Sequence, residues 1–433
     1  MKEDFLHYVW RFQYYKKEGL VTTAGQEVVV LQPGLYNKSD AGPDFFGARV
    51  RVGPTEWVGS VEIHLKASDW RRHQHHQDAK YNQVVLHVVW ENDAPVYRED
   101  GSEMPTLELR GRVALPLQAA YQELLWSQEV LPCAAQASSV DPVYKSSMMD
   151  QALLSRLEVK AGLVLERLAQ NRQDWESTVY QTLAAGFGFK INQEAFLQLT
   201  QVLPWNIANK YRPVPKQLEA LVFGQAGLLT EKEGEMPDPN VEALQKEHHY
   251  LRQKHSLSEP LPRSAWNFLR LRPANFPAVR LGQWYAVLRA HPHLWSAMVE
   301  CSTLDEYFRF FKQTAPSYWQ THTNPGKMAS RPFSIIGSES IQGLLINVVA
   351  PLLVAYSRRM DNATYQEKAV ELLETLPKEQ NKVTRLFTGL GFPHRSAADS
   401  QALLGLHHAY CAPRKCVHCA IGHRLMKQNL SLA

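Results

Sequence analysis

Residues 59–66 read Gly-Ser-Val-Glu-Ile-His-Leu-Lys, and this stretch decides which fold we expect for the N-terminal part of the chain. Apolar side chains at every second position alternate with Glu62, His64 and Lys66, which is typical of a β-strand with one face on the core. The opposite face then carries an acid, an imidazole and an ammonium group in a row. A purely structural sheet face does not need such a row, so it is our first candidate for a chemical site.

The segments on both sides of this stretch are also rich in β-branched and aromatic residues and are bounded by Gly and Pro. The predicted strands cover residues 28–32, 44–52, 56–66, 84–91 and 106–112. We expect a helix over residues 3–18 before them, and a short helix in the second half of the polar stretch 68–83. Residues 84–90 are almost continuously apolar, which predicts a central strand covered on both faces. These elements predict a small α/β module with a mixed sheet over residues 1–130.

A Pro-, Ala- and Ser-rich linker over residues 131–147 ends this module, and the hydrophobic periodicity then becomes helical. Leucines recur at helical spacing over residues 149–169, and prolines separate the helices that follow. Those further predicted helices cover residues 175–185, 193–202, 217–228, 241–255, 281–290 and 362–376. We expect a large all-α domain over residues 148–433, so the predicted fold class of the whole chain is α+β.

The composition of the 433 residues excludes several classes of protein. Hydrophobic residues make up 45% of the chain, which is enough for a packed core and argues against disorder. The net charge is only +4, so any nucleic-acid binding must come from local patches. The N-terminus lacks the apolar region of a signal peptide, and the apolar run 344–356 is too short to cross a bilayer. We expect a cytoplasmic protein that does not enter the membrane.

Two carboxylates belong to the candidate site. Asp44 follows Gly42-Pro43 at the start of one predicted strand, and Glu62 lies inside the next. If these strands are neighbours, the two carboxylates approach each other and must share a proton or a divalent cation. Oxygen ligands favour Mg²⁺ or Mn²⁺, and such an ion could activate water against a phosphodiester. The alternative is a solvated sheet face with cross-strand ion pairs.

This pattern resembles the P-D…(D/E)-x-K nuclease superfamily, in the order of the elements as well as in the two acids. The resemblance implies that Asp44 and Glu62 hold a metal, with Glu27 on the preceding strand as an extra acidic ligand. His64 stands where the superfamily has lysine. A neutral imidazole could serve there as a base or a ligand, and Lys66 on the same face is a candidate substitute for the missing lysine.

Histidines are concentrated around this site, since five of the seventeen in the chain lie between residues 64 and 87. They are His64, His73, His75, His76 and His87. Together with Asp69 and Asp78 they supply enough ligands for a transition metal, with His73 as a candidate ligand. The alternatives are an exposed polar loop for residues 73–76 and a hydrogen-bonded core residue for His87.

The five cysteines exclude a disulfide scaffold, and three of them follow the pattern C-x₄-C-x₂-C at Cys411, Cys416 and Cys419. The C-x₂-C spacing places two thiolates on one turn around a metal ion, so zinc or an iron–sulfur cluster is a candidate cofactor. Candidates for the fourth ligand are His408, His418, His423, Cys133 and Cys301. Some members of the nuclease superfamily carry an iron–sulfur cluster on one early and three late cysteines, a layout that Cys133 and the late three resemble. The alternative is a set of reduced cysteines that pack a helical end.

Residues 266–280 interleave three arginines with three aromatic residues. Arginine binds phosphates and aromatic faces stack on bases, so Arg270, Arg272 and Arg280 are our candidates for nucleic-acid contacts. Structural arginines that pair with acids such as Glu219 would look the same in the sequence.

Along its length the chain resembles the domain-of-unknown-function 2851 family, a bacterial family without an established activity. The resemblance rests on residues 59–64, 68–73, 86–89, 219–227 and 270–273 and on the C-terminal cysteines. Our leading hypothesis is a metal-dependent, nuclease-like phosphodiesterase that acts on nucleic acid. A non-catalytic nucleic-acid-binding or interaction protein on a decayed nuclease scaffold and a transition-metal hydrolase that uses the histidines stay open as alternatives.

Overall fold

The computed structural model describes residues 1–37, 41–230 and 238–428. The chain forms two compact units. The N-terminal unit consists of Met1–Ala152, Asn381–Pro393 and Leu403–Ala433, and the helical unit consists of Leu153–Gln380 and His394–Ala402. The first contains a mixed sheet and helices dominate the second, so the predicted α+β class is confirmed.

The sheet of the N-terminal unit has the strand order β1-β3-β4-β5-β6, with β2 paired to β3. The strands are β1 (Val28–Gln32), β2 (Leu35–Tyr36), β3 (Phe45–Val52), β4 (Thr55–Lys66), β5 (Val84–Glu91) and β6 (Thr106–Glu108). Strands β1, β2 and β4 pair antiparallel with β3, whereas β5 is parallel to both β4 and β6. Residues 84–89 are all buried, as expected for a central strand covered on both faces.

An irregularity at the start of β3 sets which residues face each other across the β3–β4 pair. The register shifts by one residue between Phe45 and Ala48. Gly47 has a φ of +64°, in the left-handed region that glycine adopts without the strain of a Cβ. On the Phe45 side of this bulge, the register brings Asp44 opposite Glu62, which is the juxtaposition that the candidate site needs.

The first helix is shorter than predicted. Helix α1 (Glu3–Phe12) ends where Gln13 adopts a left-handed conformation and its backbone N–H donates to the carbonyl of Trp10. Its apolar face packs on β4. After β4 the polar stretch forms α2 (Asp69–Arg72) and two 3₁₀ turns, His75–Gln77 and Ala79–Tyr81, in place of the predicted short helix.

The predicted linker over residues 131–147 is part of the N-terminal unit. Helix α3 (Leu115–Trp126) precedes it, and the segment itself contains α4 (Ala134–Ala137) and the first turns of α5 (Pro142–Gln170). Leu131, Ala137 and Val140 are buried, so this segment packs against its own unit. Pro, Ala and Ser resemble a linker in composition, but the apolar residues among them fill a core.

The end of the chain also belongs to the N-terminal unit, which differs from the predicted helical domain over residues 148–433. The terminal elements are α18 (Lys382–Leu386), the last four residues of α19 (Ala397–Leu406), a π-helical turn His407–Cys411, a 3₁₀ turn Cys416–His418 and α20 (Ala420–Gln428). Helix α20 packs on α3, with Ile421, Leu425 and Met426 buried. The sequence marks this apolar face but does not say which element covers it.

The helical unit contains most of the predicted helices close to their expected positions. They are α6 (Trp175–Phe187), α7 (Gln193–Val202), α8 (Trp205–Tyr211), α9 (Pro215–Gln225), α10 (Pro239–Lys254), α11 (Pro277–Ala290), α12 (Leu294–Glu300), α13 (Leu304–Phe311), α14 (Ser317–Thr321), α15 (Ser338–Leu344), α16 (Ala350–Met360) and α17 (Thr364–Thr375). A small hairpin of β7 (His322–Asn324) and β8 (Lys327–Met328) lies among them.

One apolar helix is longer than the sequence predicts. Helices α15 and α16 join through the π-helical segment Leu345–Val349 into a stretch of 23 residues, Ser338–Met360. Among the described residues, this stretch alone is long and apolar enough to cross a bilayer, and 72% of its most apolar window is buried inside the protein. Burial of this extent is typical of a core helix.

Candidate functional site

A cavity of about 650 Å³ lies in the N-terminal unit, between α1, the C-terminal half of β4 and the end of the chain. Its ionisable lining consists of carboxylates, histidines and one lysine from separate parts of the sequence. These side chains are Glu3, Asp4, Asp44, Glu62, His64, His73, His75, Lys415 and His418. The tyrosines Tyr36, Tyr81 and Tyr410 complete much of the wall.

Strand β4 supplies the two most deeply buried polar groups of this cavity. Glu62 is 5% exposed and His64 is 1% exposed, while the alternating residues Val61 and Ile63 are fully buried on the other face. The period of two in a strand therefore directs Glu62 and His64 to the same side, as the sequence predicts. The strand ends at Lys66, which is exposed and does not line the cavity.

Asp44 and Glu62 are brought together and hold each other in place. The backbone N–H of Asp44 donates to Glu62 Oε2 at 3.1 Å, and the N–H of Ile63 donates to Asp44 Oδ2 at 2.8 Å. His7 Nε2 from α1 lies 3.3 Å from the same Asp44 oxygen. Asp44 Oδ2 is thus already in contact with two protein groups, whereas Glu62 Oε1 points toward the histidines.

The histidines of this cavity form a tight group around that oxygen. Glu62 Oε1 lies 3.6 Å from His64 Nε2 and 3.4 Å from His75 Nε2, and His64 Nε2 lies 3.2 Å from His73 Nδ1. In the part of the chain that the structure describes, His64, His73 and His75 are the one group whose candidate ligand atoms all lie within 4.8 Å of one another. The 3₁₀ turn after α2 is what brings His75 back over β4.

These separations match those around a single metal ion. A tetrahedral ion with ligand bonds of about 2.1 Å holds its ligand atoms about 3.4 Å apart. Although Glu62 Oε1 lies 3.4 Å away, the buried Nε2 of His75 forms no hydrogen bond with it or with any other described group, which is costly unless a ligand satisfies it. His64 Nδ1 meets His87 Nε2 at 2.9 Å, so His87 orients the ring from behind, as partners of metal-binding histidines do. The residues present therefore fit a divalent transition metal.

The protonation states agree with this fit. Burial, followed by the charges of neighbouring imidazoles, lowers the pKa of His64 to about 2, of His87 to about 3 and of His75 to about 4. The rings are neutral at pH 7, the form that binds metals. Burial, followed by the charge of Asp44, raises the pKa of Glu62 well above its ordinary value. A bound cation would displace the proton that this carboxyl otherwise keeps.

A family model described as "Protein of unknown function (DUF2851)" matches residues 3–382. The chain belongs to this family. The match includes β4, the histidine turns and both carboxylates of the cavity, as well as most of the helical unit. No curated protein and no solved structure matches the chain significantly.

Two residues that the sequence associates with the site lie away from it. The backbone carbonyl of Glu27 accepts from Gly53 at the far end of β3, and the eight residues of β3 span roughly 26 Å. The Glu27 side chain is exposed there, so it is not a ligand of the cavity. Lys66 is directed out of the cavity as well, and it cannot replace the lysine of the nuclease pattern.

Several residues of the site had no signal in the sequence. Glu3, at the start of α1, lines the cavity, and burial, with Asp44 nearby, raises its pKa to about 7 despite His7. Tyr81 stacks on His75 with ring centroids 3.8 Å apart. Lys415 and His418 arrive from the end of the chain, and His418 holds the pKa of Asp4 below its usual range. Only their positions in space, after folding, identify these residues.

The cysteine cluster is buried in the N-terminal unit. Cys411, Cys416 and Cys419 are each less than 10% exposed, and Cys133 lies near them. Of the other fourth-ligand candidates, Cys301 is in the helical unit, where its Sγ donates to the carbonyl of Ala297. Among the histidine candidates, His418 contacts Asp4, His423 bonds to Tyr14, and His408 is exposed.

The three arginines of residues 266–280 have different environments. Arg270 and Arg272 are exposed. The guanidinium of Arg280 is buried and donates to Gln283, Asn275 and Ser340, so it is a structural group and is not accessible to a nucleic acid. Its partners are neutral side chains rather than the acid Glu219, which the sequence had suggested.

Proposed function

We propose that this chain is a metal-dependent phosphodiesterase that hydrolyses nucleic acid in the cavity of the N-terminal unit. The observation that carries the proposal is the group of His64, His73 and His75, whose candidate ligand atoms all lie within 4.8 Å of one another, with Glu62 Oε1 at 3.6 Å from His64 Nε2 and 3.4 Å from His75 Nε2. Imidazole and carboxylate together favour Mn²⁺, Fe²⁺ or Zn²⁺ over Mg²⁺, which prefers oxygen ligands and water.

The arrangement of elements supports a phosphodiester substrate. Asp44 before one strand, Glu62 in its antiparallel neighbour and a parallel strand after a helical connection are similar to the order in the P-D…(D/E)-x-K nucleases. Lys415 and His418 supply donors for phosphate oxygens on one wall, and the tyrosine rings supply faces on which a base can stack. A cavity of about 650 Å³ has room for a nucleotide unit.

The chemistry divides between the ion and the protein. A bound divalent ion lowers the pKa of its water and offsets the charge of the phosphate. The oxygen of water adds to phosphorus, the bond to the leaving ester oxygen breaks, and a proton from that water ends on the leaving oxygen. Glu62 and the three histidines would hold the ion, Asp44 fixes Glu62 through its backbone N–H, and Lys415 would orient the phosphate. His64 would be a ligand through Nε2, because its Nδ1 is engaged with His87.

The test combines metal analysis with cleavage assays on purified protein. We expect one Mn, Fe or Zn per chain, and metal-dependent cleavage of labelled DNA or RNA and of bis-p-nitrophenyl phosphate. Glu62→Gln and His64→Gln should each reduce the rate by more than about 100-fold, since loss of a partner behind a ligand already costs 10–100-fold. Glu27→Gln and Lys66→Met are matched controls outside the cavity and should act like the wild type.

Two outcomes contradict the proposal. A metal-loaded protein that cleaves no phosphodiester is not a phosphodiesterase, and equal loss of activity in Glu27→Gln and Glu62→Gln would place the reaction elsewhere.

A second candidate function has a specific observation in its favour. Glu62 and the three histidines together would supply four protein ligands, and a closed tetrahedral sphere is typical of structural metal sites. The chain would then bind nucleic acid without cleaving it, with exposed Arg270 and Arg272 as contacts. Tight, salt-dependent retention of DNA or RNA by a metal-loaded but inactive protein would favour this candidate, and Arg270→Gln with Arg272→Gln should then reduce the salt slope.

A further inference from the structure

Four of the five cysteines meet in the N-terminal unit, although they come from two distant segments of the chain. All four are free cysteines: Cys133, Cys411, Cys416 and Cys419. Their thiols are close enough for charge interactions that join Cys133 to each of the other three. Cys133 lies in the turn between α3 and α4, and the others follow the π-helical turn after α19.

Two contacts, each between a side chain and the backbone, dock the late segment on the early one. The guanidinium of Arg414, between the first two late cysteines, donates to the backbone carbonyl of Glu129 at 3.5 Å. The backbone N–H of Ala420, next to Cys419, contacts the sulfur of Met148 at 3.4 Å. Glu129 and Met148 lie on either side of Cys133 in sequence, so the two contacts hold the late segment against the segment that carries Cys133.

The surroundings of Cys419 are those of a sulfur ligand. Backbone N–H groups of Ile421 and Gly422, at the start of α20, point at its sulfur. Gly422 is required for this approach, because a Cβ there would meet the carbonyl oxygen of Cys416 at 2.2 Å. Hydrogen bonds from backbone amides to sulfur stabilise ligated thiolates and tune the centres they hold.

The spacing of the sulfurs indicates which kind of centre they fit. Zinc with Zn–S bonds of about 2.3 Å holds its four sulfurs about 3.8 Å apart. No three of these sulfurs lie within 4.8 Å of one another, since the one group of described residues that meets this condition is the histidine group. The four sulfurs are therefore spaced too widely to share one zinc ion. Iron–sulfur clusters are the four-cysteine centres with several metal atoms.

We propose that Cys133, Cys411, Cys416 and Cys419 ligate an iron–sulfur cluster that fastens the end of the chain to the N-terminal unit. The cluster lies beside the cavity, because the loop between Cys411 and Cys419 carries Lys415 and His418 into the cavity wall. Loss of the cluster should therefore displace Lys415 and His418 from the cavity wall. The assignment of the cluster does not depend on the proposed phosphodiesterase activity.

The test is anaerobic purification of the full chain followed by iron and acid-labile sulfide analysis. We expect equal amounts of iron and sulfide, a broad visible absorption that dithionite bleaches, and a Mössbauer spectrum of iron in tetrahedral sulfur sites. Cys133→Ser should lose at least half of the sulfide and the absorption. Cys301→Ser is the matched control, because it removes the one cysteine outside the cluster, and it should keep both.

A variant of the histidine site and a reconstitution experiment complete the test of the cluster. His64→Ala should lose iron held in the cavity but no sulfide, which separates the two sites. If the serine variants do not fold, reconstitution of the unfolded and refolded wild type with iron and sulfide tests the same point. One zinc per four cysteines, no sulfide after reconstitution, or undiminished sulfide in Cys133→Ser would each overturn the cluster.

Discussion

The cavity of the N-terminal unit and a second cavity, in the helical unit, have nearly opposite chemistry. The second measures about 540 Å³ and has Lys160, Arg167 and Lys190 among apolar walls. None of the described residues that line it is acidic. Lys160 donates to the neutral oxygens of Asn347 and Gln401, and Arg167 donates to Thr182. The first cavity therefore collects groups that bind cations, while the second holds cations on neutral partners.

The difference shows what strands and helices do with polar side chains. In a strand such as β4, residues two positions apart are neighbours on the same face. Glu62 and His64 therefore place ligand atoms 3.6 Å apart, close enough for one coordination sphere. On α5, Lys160 and Arg167 share a face only after two turns, about 10 Å along the axis. A strand that ends at a tight turn concentrates ligands, and a long helix distributes charges over a groove.

The largest effect should come from His64, at the centre of the ligand group. His64→Ala removes the nitrogen that lies within 3.6 Å of both Glu62 and His73, so we expect Mn²⁺ or Zn²⁺ affinity, measured by calorimetry, to fall by more than about 100-fold. Lys190→Gln, an exposed cation in the other cavity, is the control and should bind the metal like the wild type. Equal affinities in both variants would remove the distinction between the two cavities.

A smaller loss should follow when the support behind His64 is removed. His87→Gln takes away the nitrogen that meets His64 Nδ1 at 2.9 Å, and we expect metal affinity to fall about 10- to 100-fold. His248→Gln is the matched control, because His248 is a partly buried histidine of the helical unit, bonded to Gln225. Unchanged affinity in His87→Gln, in protein shown by circular dichroism to be folded, would contradict the orienting role.

The buried lysine of the helical unit should make stability depend on pH. Burial, followed by Arg156, lowers the pKa of Lys160 from 10.5 to about 8. Between these values the unfolded chain binds a proton that the folded protein does not, so the free energy of unfolding rises with pH through this window. Because the ammonium keeps some contact with water, we expect a rise of about 1–2 kcal/mol.

Lys160→Met should not show this rise, and chemical denaturation at pH 7 and pH 10 measures it in both proteins. At pH 7 the variant should be at least as stable as the wild type. A wild type that loses stability relative to Lys160→Met as the pH increases would contradict the direction of the pKa shift.

The smallest effect should come from a methyl group in the wall of the second cavity. A Cβ at Gly186 would lie 2.4 Å from Val348 Cγ2 and 2.9 Å from Leu344 Cδ2, both at the ends of side chains that can shift. We expect Gly186→Ala to lower the free energy of unfolding by about 1 kcal/mol, because crowding exceeds the gain in helix propensity. Gly162→Ala, where no atom lies within 4 Å, should raise it by about 0.5–1 kcal/mol. A stabilised Gly186→Ala would show that the cavity takes up the methyl freely.

Much of the candidate site can be predicted from the sequence, but the full set of residues that line the cavity cannot. Strand alternation predicts that Glu62 and His64 share a face, and the spacing of Asp44 predicts a carboxylate opposite Glu62. Lys66 follows the same alternation yet leaves the cavity, because β4 ends there. Glu27 lies just before β1, which pairs with β3, but at the end of that pair far from the cavity. A pattern along one strand does not state how far the cavity extends along it.

Local sequence patterns are enough to predict the α+β class, the central apolar strand β5 and the row of polar residues on β4, and they show the cysteine pattern near the end of the chain. These follow from local periodicity and residue chemistry, which act over a few positions. Three contacts are visible only in the folded protein: His75 returns over β4, α20 packs on α3, and Cys133 lies near the late cysteines. Those pairings depend on which apolar faces bury each other across long separations, and no local pattern encodes that choice.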